Sequence, residues 1–300
     1  MDATTISLFT LEREGDVLAC QCGRKYAIVD GVPIVGPTVG TDRSSPLGSG
    51  DDLYGAGPDL DVTEAPGPDD SPQARQLEHL STYLDAHWGD GYERGMRAFV
   101  ELLAKLPRVA SAVELGCSAG RALTALGADR VIGIELNFAV LRRARALLDG
   151  KTVRYARRVV GRHYEPAEVR GVATACELVC ADALDPPLVP GAFDRVVALN
   201  VLDSVRDPGQ LLAVVDGLCA PGGEIIVSSP YAWQTGVVAE DGRLGGADPA
   251  GYLTSRLRGG TDLRAPYAIA EEAEVTWTLR RDARSEVSYR VHYLRARKGT

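Results

Sequence analysis

From Arg75 to Lys298 the chain alternates between short unbroken apolar runs and longer stretches whose apolar residues recur every three or four positions. The first kind marks strands buried on both faces, the second amphipathic helices. "ASAVELG" (110–116), "RVIGIEL" (130–136), "CELVCAD" (176–182), "FDRVVALNVL" (193–202) and "GEIIVSSP" (223–230) read as strands. "QLEHLSTYLDAHWG" (76–89), "YERGMRAFVELLAKLP" (92–107, stopped by Pro107), "AGRALTALGA" (119–128), "FAVLRRARALLDG" (138–150) and "PGQLLAVVDGLCA" (208–220) read as helices. The last two runs, "EEAEVTWTLRRD" and "SEVSYRVHYLRA", alternate with period two around a polar turn, which predicts a hairpin. The pattern implies an α/β fold, a doubly wound, seven-stranded Rossmann-like sheet with an antiparallel C-terminal hairpin.

The periodicity changes before Arg75. Residues 1–38 hold short strand-like runs such as "YAIVDGVPIV" and are expected to form a small β-rich module. Residues 39–74 are rich in Gly, Pro, Ser and Asp, with little to bury, and are expected to form a flexible acidic linker. The large domain then runs from 75 to 300.

Charge follows the same division. The net charge is −8, and residues 41–75 alone contribute eight acids against two arginines. From residue 76 onward the two signs balance, so the large domain carries no basic stripe for a nucleic acid. No apolar run reaches the length of a membrane span, and the first residues lack a signal peptide's basic start and apolar core, so a cytoplasmic protein is expected. The six cysteines (20, 22, 117, 176, 180 and 219) do not suggest a disulfide framework in a chain of 300 residues.

Candidate chemistry begins at "VELGCSAG" (113–120), where a buried strand runs into a glycine turn and an expected helix. A dinucleotide fingerprint would need a middle glycine between Gly116 and Gly120, where Cys117, Ser118 and Ala119 stand instead. A phosphate loop would end in Gly-Lys-Ser/Thr, and Gly120-Arg121-Ala122 does not. Glu114 would repel anionic phosphates but suits a ligand bearing an ammonium and a sulfonium. Glu135, followed by Leu136 at the end of the next strand, is placed to accept ribose hydroxyls. Asp182 and Ala183 in "CADAL" stand at a third strand end, where a carboxylate can accept an adenine amino group.

These motifs, with "FDRVVALNVLDSV" and "LCAPGGEIIV" in the same order, resemble the class I S-adenosylmethionine-dependent methyltransferases. The resemblance implies S-adenosyl-L-methionine as cofactor, held by Glu114, Gly116, Cys117, Gly120, Glu135, Leu136, Asp182, Ala183 and Asn200. "STYLDAHWG", "SSPYAW" and "RLGG" further resemble the methyltransferase domain of ovothiol biosynthesis, which methylates an imidazole nitrogen of 4-mercaptohistidine. That family's Phe-His-Tyr reads Ala86-His87-Trp88 here, and its aromatic before Leu-Gly-Gly is Arg243. This resemblance implies Tyr83, His87, Asn200 and Tyr231 as catalytic residues. It places Tyr83, His87, His163, Tyr164, Asp203, Tyr231 and Trp233 around the acceptor. Tyr83 and His87 share a helical face, so packing is the competing explanation for them. His79 and His292 read as structural.

"LACQCGRKYAIVDGVPIVG" resembles the zinc-ribbon-like domain of methyltransferase activator subunits. Only Cys20 and Cys22 remain of its two cysteine pairs, so the metal is expected to be lost. The expected function is natural-product methylation, N-methylation of an imidazole or histidine-derived small molecule. A peptide substrate and a non-catalytic cofactor-binding scaffold are the alternatives. The expected partners are the small-molecule or peptide substrate and a second copy in a homodimer, with no nucleic acid or membrane.

Overall fold

The computed structural model describes residues 11–20, 25–35, 62–65, 67–68, 70–259 and 262–300. Near the N-terminus β1 (Leu11–Glu14), β2 (Val17–Cys20), β3 (Lys25–Val29) and β4 (Val32–Pro33) form an antiparallel four-stranded sheet. Cys22 and residues 36–61, most of the expected linker, lie outside the described residues. Among those described, no group of three or more His, Cys, Asp or Glu side chains is arranged to hold a metal. No described helix is long and apolar enough to cross a membrane.

The large domain opens with α1 (Pro72–Trp88), three residues inside the stretch expected to be linker. Its start is local chemistry: the Ser71 hydroxyl accepts the Ala74 N–H at 3.2 Å, and Pro72 sits where its missing N–H costs nothing. A 3₁₀ turn at Asp90–Glu93 and then α2 (Arg97–Ala104) replace the single expected helix. Gly95 marks the break; a Cβ there would lie 2.6 Å from the Ala86 carbonyl oxygen.

Next come β5 (Val109–Leu115), β6 (Ala128–Glu135), α3 (Phe138–Leu148), β7 (Thr152–Val160), β8 (His163–Arg170) and β9 (Glu177–Cys180). β10 (Phe193–Leu199), α4 (Pro208–Leu218), β11 (Cys219–Ser229), α5 (Pro249–Gly259), β12 (Tyr267–Arg280) and β13 (Glu286–Lys298) complete the chain. The main sheet has seven strands in the order β12-β13-β11-β10-β5-β6-β9. β11, β10, β5, β6 and β9 pair in parallel, while β13 is antiparallel to both β11 and β12. This is the doubly wound sheet with a terminal hairpin that the periodicity predicts.

One expected helix is reduced. After β5 only a 3₁₀ turn forms, at Ala122–Ala125, because Gly127 adopts φ +59° and the next strand starts at Ala128. Seven residues between Gly120 and Ala128 leave no room for more than a turn or two.

Each face of the sheet buries its own core. Leu80, Leu84, Phe99, Phe138 and Tyr293 lie on the face covered by α1, α2 and α3. Leu211, Leu212, Val215, Leu253 and Leu257 of α4 and α5 cover the other.

Two additions flank the domain. β7 and β8 form a separate antiparallel hairpin against α1, where the Tyr155 hydroxyl donates to Asp85 Oδ1 at 3.0 Å and the Arg158 N–H donates to Ser81 Oγ at 2.8 Å. Glu64 bridges to His163 on the hairpin's outer edge, so part of the expected linker is ordered as strand-like backbone. On the far edge of the main sheet, Ile34 forms a parallel bridge with Cys180, and the Val35 N–H donates to the Cys180 carbonyl at 2.8 Å. The N-terminal module thereby covers an otherwise open edge.

At the amino-terminal ends of the strands, the side chain of Arg195 is wholly buried and pairs with Glu224 at 2.6 Å. It also donates to the carbonyl of Pro107 at 2.8 Å and to that of Leu126. Breaking a buried pair leaves an uncompensated charge, so Arg195→Met should lower unfolding stability by about 3 kcal/mol, read from the urea midpoint. Arg295, which also meets Glu224 at 3.0 Å, keeps the loss from being larger.

Candidate active site

A cleft of about 340 Å³ opens at the carboxyl ends of β5, β6, β9 and β10, where doubly wound sheets bind their ligands. A slightly larger hollow of about 400 Å³ lies at the opposite end of the strands, among Pro107, Asp194, Gly222 and Arg297. The first concentrates polar groups without partners, so it is the candidate site.

The floor is the turn after β5. Gly116 has φ +73°, and a Cβ there would lie 2.5 Å from Val201 Cγ2, so only glycine fits. The N–H groups of Gly116 and Cys117 both donate to the Ile134 carbonyl, at 2.8 and 2.9 Å, which pins the turn to β6. Ser118, beside the cleft, also adopts a left-handed conformation, at φ +49°. Gly120 has a different use: a Cβ there would meet Leu148 at 2.9 Å and Ala144 at 3.3 Å, so it admits α3 to the turn. Cys117 is buried and, like Gly120, does not line the cleft.

Glu114, Glu135 and Asp182 bring three carboxyl groups to one cavity. Glu114 is 2% exposed, and its Oε2 has no hydrogen-bond partner. Burial, aided by the neighbouring Glu135 charge, pushes its pKa up to about 8. Glu135 accepts the N–H groups of Ser118 at 2.9 Å and Asn137 at 2.8 Å, which hold its carboxylate in place. Burial still raises its pKa. Asp182 accepts the Leu184 N–H at 2.9 Å and meets Arg206 at 2.8 Å, so one of its oxygens is held at the cleft's rim. Asn200, at φ +56°, accepts the Ser228 hydroxyl at 2.9 Å through Oδ1. Among the described lining residues there is no lysine or arginine. The donor set therefore fits a ligand with net positive charge.

The helix α1 roofs the cleft. His79, Tyr83 and His87 fall on one face, at intervals of four residues, and all three line it. The rings of His79 and Tyr83 are 4.5 Å apart, those of Tyr83 and His87 6.2 Å. Burial lowers the pKa of His79 to about 4 and that of His87 to about 3, where the Arg121 charge adds to the effect. Both imidazoles are therefore neutral at physiological pH. Burial and the Glu135 charge raise Tyr83 to about 12, so it keeps its proton. The roof is fastened to the floor by Trp88, whose Nε1 donates to the Ala119 carbonyl at 2.7 Å. The Arg121 guanidinium lies 4.5 Å from the Trp88 ring centre and 4.4 Å from that of Tyr92.

Of the residues expected at the site, the fold gathers Glu114, Gly116, Glu135, Leu136, Asp182, Ala183, Asn200, Tyr83 and His87 at one place, but several others lie elsewhere. Asp203 is buried and accepts the Ala232 N–H at 2.8 Å, tying together the loops after β10 and β11 outside the cleft lining. The Tyr231 hydroxyl bonds to His292 Nδ1 at 2.8 Å, and His292 Nε2 meets Glu272 at 3.0 Å. Tyr231, with Trp233 at a ring distance of 6.0 Å, is thus engaged away from the cleft. His163 is exposed on the hairpin, and Tyr164 packs with Leu77 and Ala156 in a separate cluster. The hairpin docks on α1 and does not close over the cavity.

Other residues line the cleft as well: His79, which the sequence reads as structural, and Met96, Ser118, Gln234 and Trp277, which it does not single out. His79 carries a readable signal, since it continues the Tyr83–His87 stripe by one turn. Trp277 has none, because the pleat of β12 gives it a face but not a neighbour.

Residues 113–227 match the family model of a methyltransferase domain. The chain carries a methyltransferase domain. S-adenosylmethionine is its cofactor, and a cavity with three carboxyl groups and no lysine or arginine among its described lining residues suits that ligand's net positive charge. Among solved structures, the chain is similar to the N-methyltransferase NodS from Bradyrhizobium japonicum WM9 in complex with S-adenosyl-L-homocysteine. That match has 17% identity over 75% of this chain and 98% of that one, with a TM-score of 0.46. A chain of the Haloferax volcanii complex containing the Trm112 methyltransferase activator matches with 15% identity, covering 73% and 95%, at a TM-score of 0.48. Phosphoethanolamine N-methyltransferase 2 of Haemonchus contortus, in complex with S-adenosyl-L-methionine, matches with 16% identity over 54% and 34%, at 0.37.

The methyltransferase site links cofactor binding to protons. With a pKa of about 8, Glu114 holds its proton at pH 7, while the unfolded side chain releases it near 4.5. The unliganded fold therefore loses stability from this group as pH rises from 4.5 toward about 8. A cofactor ammonium brought near Glu114 favours the charged form, so binding S-adenosylhomocysteine at pH 7 should release close to one proton. Calorimetry in buffers of different ionisation enthalpy measures this, and Glu114→Gln should abolish the release.

Proposed function

We propose that this methyltransferase N-methylates an imidazole or histidine-derived small molecule, as its resemblance to the ovothiol methyltransferase domain implies. The observation that carries the reading is the roof of the cleft, where Tyr83 and His87, neutral and on one helical face, stand over the carboxyl ends of the strands.

Each residue has a role in this reading. Glu114 faces the cofactor's ammonium, Glu135 the ribose and Asp182 with Ala183 the adenine. Gly116 admits the cofactor to the backbone, and Asn200 borders its amino-acid end. The bound cofactor supplies a methyl group on a positively charged sulfur, already activated toward an acceptor lone pair. The protein must then align that lone pair and exclude water, which is the entropic part of catalysis. Tyr83, holding its proton, donates a hydrogen bond to orient the acceptor ring. His87, uncharged, adds no positive charge that would repel a methylated, cationic ring.

We assign residues 1–38 to a β-rich module and the stretch up to α1 to a linker, with the methyltransferase domain following. The module's pairing with Cys180 supports a role in bracing the loop that carries Asp182. The reading includes no nucleic-acid or membrane partner, and sedimentation decides whether the enzyme is a homodimer.

The reaction is tested with S-adenosylmethionine and 4-mercaptohistidine, reading the ring-methylated product and S-adenosylhomocysteine by mass spectrometry. Tyr83→Phe should lower kcat/KM about 10- to 100-fold, the cost of one oriented hydrogen bond in a buried site. Glu135→Ala should weaken S-adenosylhomocysteine binding about 10- to 150-fold, by about 1.5–3 kcal/mol. Cofactor binding without methyl transfer to any imidazole would reject the substrate class, and absence of binding the whole reading.

A further inference from the structure

Trp277 reaches the cleft from β12, beside the roof, together with Met96. It is 6% exposed, and its indole N–H has no hydrogen-bond partner. The other tryptophan at the site is treated differently, for Trp88 Nε1 donates to the Ala119 carbonyl at 2.7 Å. Leaving a buried N–H unpaired costs about 1–3 kcal/mol, so a fold that pays this beside a cavity keeps the donor for a ligand. The ring itself is fixed by stacking on Tyr289, with centroids 5.4 Å apart and planes at 32°.

The surroundings limit what that ligand is. Glu114, Glu135 and Asp182 lie on the cofactor side, and the other wall is built from Tyr83, His87, Met96 and Trp277. No lysine or arginine stands among the described lining residues to receive an anion. A carboxylate drawn into this cavity would face like charges and lose its hydration without compensation. A flat, uncharged ring loses little on entry and can stack on the aromatic wall.

Resting on the methyl-transfer reading above, we propose that Trp277 is a specificity-determining residue that donates its indole N–H to an uncharged, planar acceptor ring. Any carboxylate the acceptor carries stays outside the cleft. Trp277 orients the ring by one directional bond, and a described lining without lysine or arginine turns away anionic analogues of the same shape.

The test reads binding, so it is independent of whether methyl transfer to a given acceptor is observed. Protein labelled at the tryptophan indole nitrogens is saturated with S-adenosylhomocysteine and titrated with 4-methylimidazole at about pH 9, where the probe is uncharged. The sequence has three tryptophans, and Trp277→Phe assigns the relevant indole resonance by its loss. That resonance should shift on titration. The Phe variant should bind the probe about ten-fold more weakly while its affinity for S-adenosylhomocysteine is unchanged. Imidazole-4-acetate, anionic at the same pH, should bind about ten-fold more weakly than 4-methylimidazole. An unmoved Trp277 resonance, equal binding of the two probes, or no binding of either overturns the proposal. If the Phe variant fails to fold, the resonance shift in the unaltered protein and the comparison of probes decide it.

Discussion

Two carboxyl groups, Glu114 buried and Glu135 half-buried, stand beside one cavity whose described lining holds no lysine or arginine, and much of the site's design answers to that. Placing like charges together in low dielectric is unfavourable unless one is neutralised or a positive ligand arrives. The protein does part of the work itself. Backbone N–H groups from the β5 turn and from the start of α3 hold Glu135, while Glu114 keeps an unpaired oxygen. The remaining imbalance is an electrostatic deficit built into strand ends, of the kind a cationic methyl donor would relieve.

That deficit depends on the geometry of one turn. Gly116 must adopt a left-handed backbone within 2.5 Å of where a side chain would strike Val201, and two N–H groups lock it to the Ile134 carbonyl. The turn in turn holds the roof, because the Ala119 carbonyl receives Trp88 and Arg121 stacks on both Trp88 and Tyr92. Helix α1 therefore carries His79, Tyr83 and His87 into register with the strand ends through contacts that belong to the cofactor loop itself. Displacing the loop would move both halves of the site together.

Several of the buried polar groups away from the cleft are paired, although the Tyr293 hydroxyl and Asp85 Oδ2 are not. Arg195 has Glu224 and two carbonyls, and Lys298 meets Asp216 at 2.8 Å and the Cys219 carbonyl at 3.1 Å. Tyr231, His292 and Glu272 form a chain of hydrogen bonds on the α5 side of the sheet. Trp277 and Glu114 differ from these pairs in two ways at once: each is short of a partner, and each lines the cleft.

The amino-acid order by itself determined the strand–helix alternation, the terminal hairpin and the strand-end residues Glu114, Gly116, Glu135, Asp182 and Asn200. Those are local facts: apolar periodicity, a glycine that needs positive φ, and an acid placed where a parallel strand must end. It also pointed to Tyr83 and His87, since a helix repeats every 3.6 residues and side chains four apart share a face. Only the tertiary structure decided which aromatic residues after β11 reach the cleft. Tyr231 and Trp233 stand in the expected segment, yet a hydrogen bond to His292, 61 positions away in sequence, turns Tyr231 aside. The hairpin carrying His163 and Tyr164 packs on α1 because Tyr155 and Arg158 find partners there. Trp277 enters the site through strand order, as the antiparallel edge brings β12 beside α1 and α2. Periodicity sets the face of a residue; which distant element that face meets is set by the sum of long-range contacts, and no local pattern encodes it.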